Sequence, residues 1–219
     1  MRAFGRSVVA LGSSNIVLGR LSKWDEYLDR VAKYNKNDWV KLLRAALDIY
    51  KGKLKGLAEV PEEEEIREGV LKVYLKGVLK ESISRIIAKI AESQQLAEDY
   101  VEDEAMQEEI QKAEVRAYEE NNKAIRVAIE FCIYIDAIFF LFTDLISLFT
   151  DENLEHIFLE NLQPFILSGK FRRYVMPEEI LKKIIAHYKA REDFEMLEKV
   201  IMYLHITDPM INSELQHIC

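Results

Sequence analysis

Apolar residues recur three and four positions apart over most of this chain, which is the spacing of one face of an α-helix. The exception lies at the amino terminus, where two short runs rich in β-branched residues flank a Gly-Ser-Ser-Asn turn and predict two strands, 7–11 and 16–21. Beyond residue 22 the pattern predicts helices over residues 23–34, 38–51, 61–93, 112–149, 153–162, 165–170, 177–188 and 193–205, with a further helix from 208. The sequence therefore predicts an all-α fold preceded by a β-hairpin.

One helix–loop–helix pattern occurs twice, at residues 31–42 and again at 185–197. Each copy has an apolar helix end, a short polar loop, an aspartate, and an aromatic residue that opens the next helix. The apolar positions continue at equal offsets, as Trp39, Leu42, Ala46 and Ile49 in one copy and Phe194, Leu197, Ile201 and Leu204 in the other. Such a repeat is typical of an α-solenoid of stacked antiparallel helical hairpins. Solenoids are usually scaffolds, so we expect a protein that is not an enzyme.

Prolines and acidic residues mark where several helices should begin and end. Pro61 precedes four glutamates and Pro177 precedes two, so each proline is predicted at the first helical position, with carboxylates near the positive end of the helix dipole. Pro164 is predicted to stop or bend a helix. Residues 92–111 are rich in Glu, Gln and Asp, and we expect an exposed helix end, a loop or a mobile insertion there.

Large aromatic residues are the candidates for packing between helices. We expect Trp24 and Trp39 to lock successive helices, and Phe165 and Phe194 to pack in the later part of the chain. An aromatic stripe is also predicted to belong to the core, and it consists of Phe131, Tyr134, Phe139, Phe140, Phe142 and Phe149.

Charge and cysteine content indicate the cellular compartment and the kinds of partner that we expect for the protein. The net charge is −8 and the pI is near 5.2, which argues against nucleic acid as a partner. Cys132 and Cys219 are far apart in sequence and predict a reducing compartment, which the cytoplasm fits best. The most apolar stretch, 124–149, is interrupted by charged residues, so we interpret it as a buried helix pair and not as a membrane span.

Metal-binding motifs are weak or incomplete. No H-E-x-x-H motif and no Cys/His pair with zinc spacing occurs. Glu214 and His217 match the Glu-x-x-His of di-iron bundles, but such a site needs a second copy that the sequence lacks. The histidines are predicted on different helices, and they are His156, His187, His205 and His217.

Four carboxylates suggest an alternative of another class, an all-helical metal-dependent enzyme using Asp136, Asp144, Asp151 and Glu152. Their spacing puts them on no common helix face, and helix caps explain them better. Residues 12–15 and 19–20 lack the Gly-rich P-loop pattern, and no G-x-S-x-G motif marks a nucleophile. We therefore expect no cofactor, no metal and no small-molecule substrate.

Three stretches of the sequence resemble one protein family more specifically than a general helical repeat does. The first stretch consists of residues 24–34 and 38–39 and the sequence ALDIYKGK at 46–53. The second, residues 158–170, reads FLENLQPFILSGK, and the third runs from 205 to 219. The first looks like the start of the solenoid in the vacuolar protein sorting-associated protein 8 family. The second is similar to that family's F-L-E-x-L-x-P-[FY]-I-L-S-x-K, and the third resembles its D-I-T-S-L-D-I continuation, with His205 and Pro209 as departures. The resemblance runs from about residue 8 to 219 and is weakest over 92–111.

The resemblance implies an architecture and a role. In that family a β-propeller precedes a long α-solenoid and a RING-like domain follows, and the protein is a subunit of CORVET, the endosomal tethering complex. It implies that residues 1–21 are terminal strands of the propeller, that 22–219 belong to the solenoid, and that both ends are cut from a longer protein. The implied role is a scaffold in vesicle fusion and endosome-to-vacuole or lysosome transport, peripheral on early endosome membranes.

The implied partners are the other tethering-complex subunits and an endosomal Rab GTPase, of which this protein would be an effector. The family's Rab-binding region lies mostly in the propeller, and its RING-type ligands do not occur here, so no binding residue carries over. Two alternatives stay open: a related HOPS or clathrin-like coat solenoid, and the metal enzyme built on Asp136, Asp144 and Glu152.

Overall fold

The computed structural model describes residues 2–4, 7–11, 13, 16–34, 39–99 and 104–204. The chain divides into two compact units, Met1–Ser82 and Ile83–Cys219, and one long helix contributes residues to both. This division falls at a different place from the expected domain boundary after residue 21.

Three antiparallel strands open the chain, β1 (Arg2–Phe4), β2 (Ser7–Leu11) and β3 (Ile16–Arg20). They form a sheet in sequence order β1-β2-β3. The predicted pair, β2 and β3, is present, and β1 is an addition. Three residues are too few to show the alternation by which a strand is recognised in sequence.

Helices make up most of the remaining described chain. Their bounds are α1 (Trp24–Tyr34), α2 (Trp39–Tyr50), α3 (Glu64–Asp99), α4 (Glu104–Tyr134), α5 (Ile138–Phe140), a π-helical turn (Leu141–Leu145), α6 (Ile146–Asp151), α7 (Glu155–Leu167), α8 (Glu178–Ala190) and α9 (Phe194–Leu204). Consecutive helices pack as pairs, α1 on α2 and α8 on α9. The prediction of an all-α helical-repeat fold with amino-terminal strands is confirmed.

The first unit, Met1–Ser82, has its core along one stripe of α3. Leu71, Leu75 and Leu79 follow at a spacing of four residues and are at most 1% exposed. Trp24 of α1 meets Tyr74 of α3 edge-on, with ring centroids 5.5 Å apart. Arg67 donates from Nε to the carbonyl oxygen of Tyr50 at 3.2 Å, which ties the start of α3 to the end of α2.

The second unit, Ile83–Cys219, is built around α7, which packs against α4, α6, α8 and α9. The ring of Phe158 on α7 lies 5.3 Å from that of Phe149 on α6. A second aromatic contact joins Phe142 to Phe171, with centroids 5.6 Å apart. Of these four rings, Phe142 is 5% exposed and the other three are at most 2% exposed, so they form the centre of the core.

Among the described residues, five helix ends have the same type of stop. In each, a residue with positive φ follows the helix, and two N–H groups return to carbonyls of the last turn, the Schellman arrangement. At the end of α7, Gly169 donates to Ile166 at 2.8 Å and Lys170 donates to Phe165 at 3.0 Å. The residues with positive φ at these five ends are Gly52, Asp136, Asn153, Gly169 and Glu192. Because only two are glycines, the sequence signal for the other three stops is weak.

The aspartate of the repeated pattern caps α9. Asp193 accepts a hydrogen bond at Oδ1 from the N–H of Met196 at 3.1 Å, which satisfies a donor that the first helical turn leaves open. The equivalent Asp38 lies outside the described residues. Helices α2 and α9 begin at the predicted aromatic residues, Trp39 and Phe194.

Several predicted helix boundaries were wrong. Helix α3 begins three residues after Pro61, and Pro177 is the N-cap of α8 and not its first residue. Pro164 lies inside α7, so no separate helix covers 165–170. A proline removes one backbone hydrogen bond, but here the helix continues for only three more residues and packs through the buried Ile166.

The structure describes helix in most of the acidic region, and the aromatic region differs from the prediction. Helix α3 extends to Asp99 and α4 begins at Glu104, so helix covers most of 92–111, and residues 100–103 lie outside the described part. The predicted helix 112–149 is interrupted at Asp136 and contains a π-helical turn. No helix within the described residues is long and apolar enough to cross a membrane.

Candidate functional site

A buried polar junction joins α4 to α7. Asn161 on α7 is 1% exposed and donates from its side-chain nitrogen to Asn122 Oδ1 at 2.7 Å and to the carbonyl oxygen of Ile157 at 2.8 Å. Its side-chain oxygen accepts from Arg126 Nε at 3.0 Å. Both amide protons and the oxygen are thus paired, as a buried amide requires. We call this cluster the Asn161 junction.

Charged contacts on α7 extend the junction toward α8. Glu160 accepts from the Tyr118 hydroxyl at 3.2 Å and pairs with Arg191, which follows α8. Glu155 pairs with Lys183 of α8 and accepts from Thr150. Burial alone would raise the pKa of Glu155, but the hydrogen bonds from Lys183 and Thr150 outweigh it and lower that pKa. These contacts link α7 to α4, α6 and α8 and do not converge on a common reacting point.

A polar groove of about 330 Å³ lies beside the junction. Every residue that lines it belongs to α4, and they are Tyr118, Glu119, Asn122, Lys123, Arg126, Val127 and Glu130. Catalytic sites usually bring groups from several elements to one point.

A second cavity of about 230 Å³ lies between α3 and α6, inside the second unit. It is lined by Ser84, Ile87, Ala88, Ala91, Leu148, Asp151 and Glu152. Of the four proposed metal ligands, only Asp151 and Glu152, which are neighbours in sequence, line this cavity. Asp136 and Asp144 do not line this cavity.

The remaining proposed metal ligands have structural partners of their own. Asp136 ends α4 with φ of 53° and accepts from the Tyr174 hydroxyl at 2.9 Å. Asp144 accepts from Thr143 Oγ1 at 2.7 Å. No group of three or more His, Cys, Asp and Glu residues that could hold a metal occurs in the part of the chain that the structure describes. The metal-enzyme alternative therefore finds no site among the described residues.

The histidines and cysteines are dispersed. His187 on α8 is half-buried, and burial, with the nearby Arg191 charge, lowers its pKa. His156 is exposed and Cys132 is buried. The other predicted candidates, His205, Glu214, His217 and Cys219, lie outside the described residues.

The predicted packing residues differ in burial. Trp24, Trp39 and Phe165 are half-buried, whereas Phe194 is 45% exposed. Sequence analysis missed Phe158 and Phe171, which are at most 2% exposed. The repeated pattern selected Phe194 as a packing residue. The burial of a side chain depends on which helices lie beside it, and the pattern within one helix does not specify those neighbours.

The aromatic stripe is only partly core. Phe131, Phe140, Phe142 and Phe149 are at most 6% exposed, as predicted. Tyr134 is 49% exposed and Phe139 is 79% exposed, so the prediction was wrong for both. The helix stop at Asp136 changes the face that the following residues present, and the predicted helix pair over 124–149 did not specify where that stop lies.

Paired helices, recurrent helix stops and a structural polar junction define the class as a helical-repeat protein, a class that typically serves as a scaffold. Residues 157–218 match the family model described as Vps8 central TPR. The matched segment begins in α7 and includes α8 and α9, and it supports membership of the Vps8 family at the level of this domain. No curated protein and no solved structure matches the chain.

Proposed function

We propose that this chain is part of a Vps8-family protein and acts as a non-catalytic scaffold segment of the CORVET tethering complex. The observation that carries the proposal is the match of residues 157–218 to the Vps8 central TPR model. The motif resemblance over residues 24–53 and 158–170 supports it from a larger part of the chain.

The proposed mechanism is mechanical. A scaffold must keep its binding surfaces at fixed positions, and the second unit has the contacts for that task. The Asn161 junction sets the register of α4 on α7, and Phe149 and Phe158 pack α6 on α7. Buried, fully paired polar groups specify one arrangement of helices more strictly than apolar packing alone.

The proposal extends to partners and location. The chain would contact other subunits of the tethering complex, and an endosomal Rab GTPase would bind through regions mostly outside these residues. The protein would act in vesicle fusion and in transport to the vacuole or lysosome, peripherally on early endosome membranes. Strands β1–β3 form an antiparallel meander, the kind of sheet found in a propeller blade, and we propose that they are the last strands of the family's propeller.

Native affinity purification of the full-length protein, with mass spectrometry of what it retains, tests this function. We expect the other CORVET subunits and an endosomal Rab GTPase. A Phe158→Ala variant should retain less of the complex because it opens a cavity in the matched segment, whereas Phe194→Ala, at an exposed position, should retain the normal amount. Recovery of neither CORVET subunits nor a Rab, or recovery of HOPS subunits alone, would overturn the proposal.

A further inference from the structure

Two segments of the second unit, called the two loops below, carry exposed apolar and basic side chains. One segment is the turn after α4 with the short helix α5, and it carries Phe139, which is 79% exposed. The other segment joins α7 to α8 and carries Val175, which is 95% exposed. The hydrogen bond from the Tyr174 hydroxyl to Asp136, 2.9 Å long, holds the two loops together. Exposed apolar side chains on adjoining segments of a folded domain point to an interaction site.

The α7–α8 loop is also basic, although the chain as a whole is acidic. Residues 168–177 contain Lys170, Arg172 and Arg173 and no carboxylate, although the whole chain carries a net charge of −8. All three basic side chains are exposed. Three positive charges therefore lie on the loop that carries Val175, and the carboxylate of Asp136, which accepts from the Tyr174 hydroxyl, offsets them in part.

Both arginines are held in place before any partner binds. The guanidinium of Arg173 lies 4.7 Å from the ring centroid of Tyr174, and that of Arg172 lies 5.4 Å from the ring of Tyr203 on α9. Beneath them Phe171 is 2% exposed and contacts Phe142. Rigid cations cost less conformational entropy on binding than flexible ones do.

We propose that this surface, defined by Phe139, Arg172, Arg173 and Val175, binds an acidic segment of a partner protein that carries an apolar anchor residue beside its carboxylates. The arginines would each pair with a carboxylate, for which the planar guanidinium is suited. Phe139 and Val175 would cover the anchor. The inference rests on exposure and charge at these two loops and does not depend on which complex the chain belongs to.

A protein partner fits this surface better than a lipid bilayer. Its phenylalanine and two arginines are residue types that are enriched in protein interfaces. Recognition of an anionic bilayer typically uses clusters of four to eight basic residues, and this loop has three in a chain that is acidic overall. Fixed arginines provide directional pairing, which a fluid headgroup layer does not require.

Fluorescence anisotropy with defined peptides tests the proposal. The probes are two labelled 15-residue peptides, a helical one of glutamate and leucine and an extended one alternating aspartate and phenylalanine. Each is compared with a version that has glutamine or asparagine in place of the acid. We expect at least one acidic probe to bind, more weakly at higher salt, and its neutral version to bind less. Binding of neither acidic probe, or equal binding of the acidic and neutral versions, would overturn the proposal.

Substitutions then locate the binding surface. Arg172→Gln and Arg173→Gln should each weaken binding about fivefold, the effect of one exposed charge pair. Phe139→Ser should weaken it through the apolar contact. Arg116→Gln and Val115→Ser are the matched controls, because both residues are exposed on α4 and outside these loops. Thermal unfolding of every variant checks that the fold is kept.

The lipid alternative is measured in parallel with vesicles of phosphatidylcholine containing about 30% phosphatidylserine. Sedimentation with these vesicles that is lost in Arg172→Gln and Arg173→Gln, without peptide binding, would overturn the proposal in favour of a membrane. Peptide binding that the control substitutions weaken as much as the loop substitutions do would also overturn it.

Discussion

The side-chain oxygen of Asn161 accepts a hydrogen bond from Arg126 Nε at 3.0 Å, across the contact between α7 and α4. This bond joins a buried side chain of α7 to an exposed, charged side chain of α4. A single asparagine thereby sets the axial position of two long segments of the fold.

Replacing Asn161 with alanine should destabilise the protein by about 2–3 kcal/mol, because the substitution leaves a polar cavity and removes the bonds to Asn122 and Arg126. Urea unfolding at neutral pH measures the change. A double-mutant cycle with Arg126→Ala should reveal coupling of at least about 0.5 kcal/mol. Strict additivity of the two substitutions would contradict a shared junction.

Two phenylalanines in the segment that matches the family model should differ in their contribution to stability because they differ in burial. Phe158→Ala should cost about 3–5 kcal/mol, since Phe158 is 1% exposed and packs on Phe149. Phe194→Ala should cost less than about 1 kcal/mol, because Phe194 is 45% exposed. Chemical denaturation of both variants gives the comparison. Similar losses would show that α9 packs differently from the described arrangement.

Alanine substitution at two glycines should change the stability of the protein in opposite directions. At Gly169 the φ angle is 72° and an added Cβ would lie 3.1 Å from Arg172, so Gly169→Ala should destabilise by about 1 kcal/mol or more. Gly77 is inside α3 with open space around its Cα, so Gly77→Ala should stabilise by about 0.5–1 kcal/mol. Melting temperatures should move in opposite directions. A stabilising Gly169→Ala would contradict the left-handed helix stop.

Acidification should destabilise the protein partly through His187. Burial and the Arg191 charge lower the pKa of His187 in the folded state, so the unfolded chain binds a proton first as the pH falls. The loss begins near the ordinary histidine pKa of about 6.5 and ends once the pH passes the lowered folded value. Unfolding free energies of the native protein and of His187→Gln between pH 7.5 and 5 measure it. The variant should lose less stability over this range, and an equal loss would contradict the prediction.

Glu192, the residue with positive φ that follows α8, allows a test of the helix stop that recurs in this fold. Glu192 has a φ of 57°, a conformation in which a side chain is disfavoured, so Glu192→Gly should stabilise by up to about 1 kcal/mol. Glu195→Gly, inside α9, is the matched control and should destabilise by about 1 kcal/mol. Thermal unfolding distinguishes them, and a loss of stability in both variants would argue against the stop.

Much of this protein follows from its sequence. Apolar residues three and four apart along α2 and α9 predicted those helices and their aromatic first residues, because a helix that buries one face must repeat with the helical period. The motif at 158–170 likewise indicated the family whose model matches 157–218. These are local signals, read within one helix or one short segment.

Tertiary structure decided the rest. Whether an aromatic residue is core or surface depends on which helix lies opposite, and so Phe158 is buried while Phe139 and Phe194 are exposed. The stop at Asp136 and the passage of α7 through Pro164 depend on packing that outweighs local preference. The pairing of Tyr174 with Asp136 joins loops 38 residues apart. No periodicity along the chain encodes that contact, and the basic and aromatic surface exists only because of it.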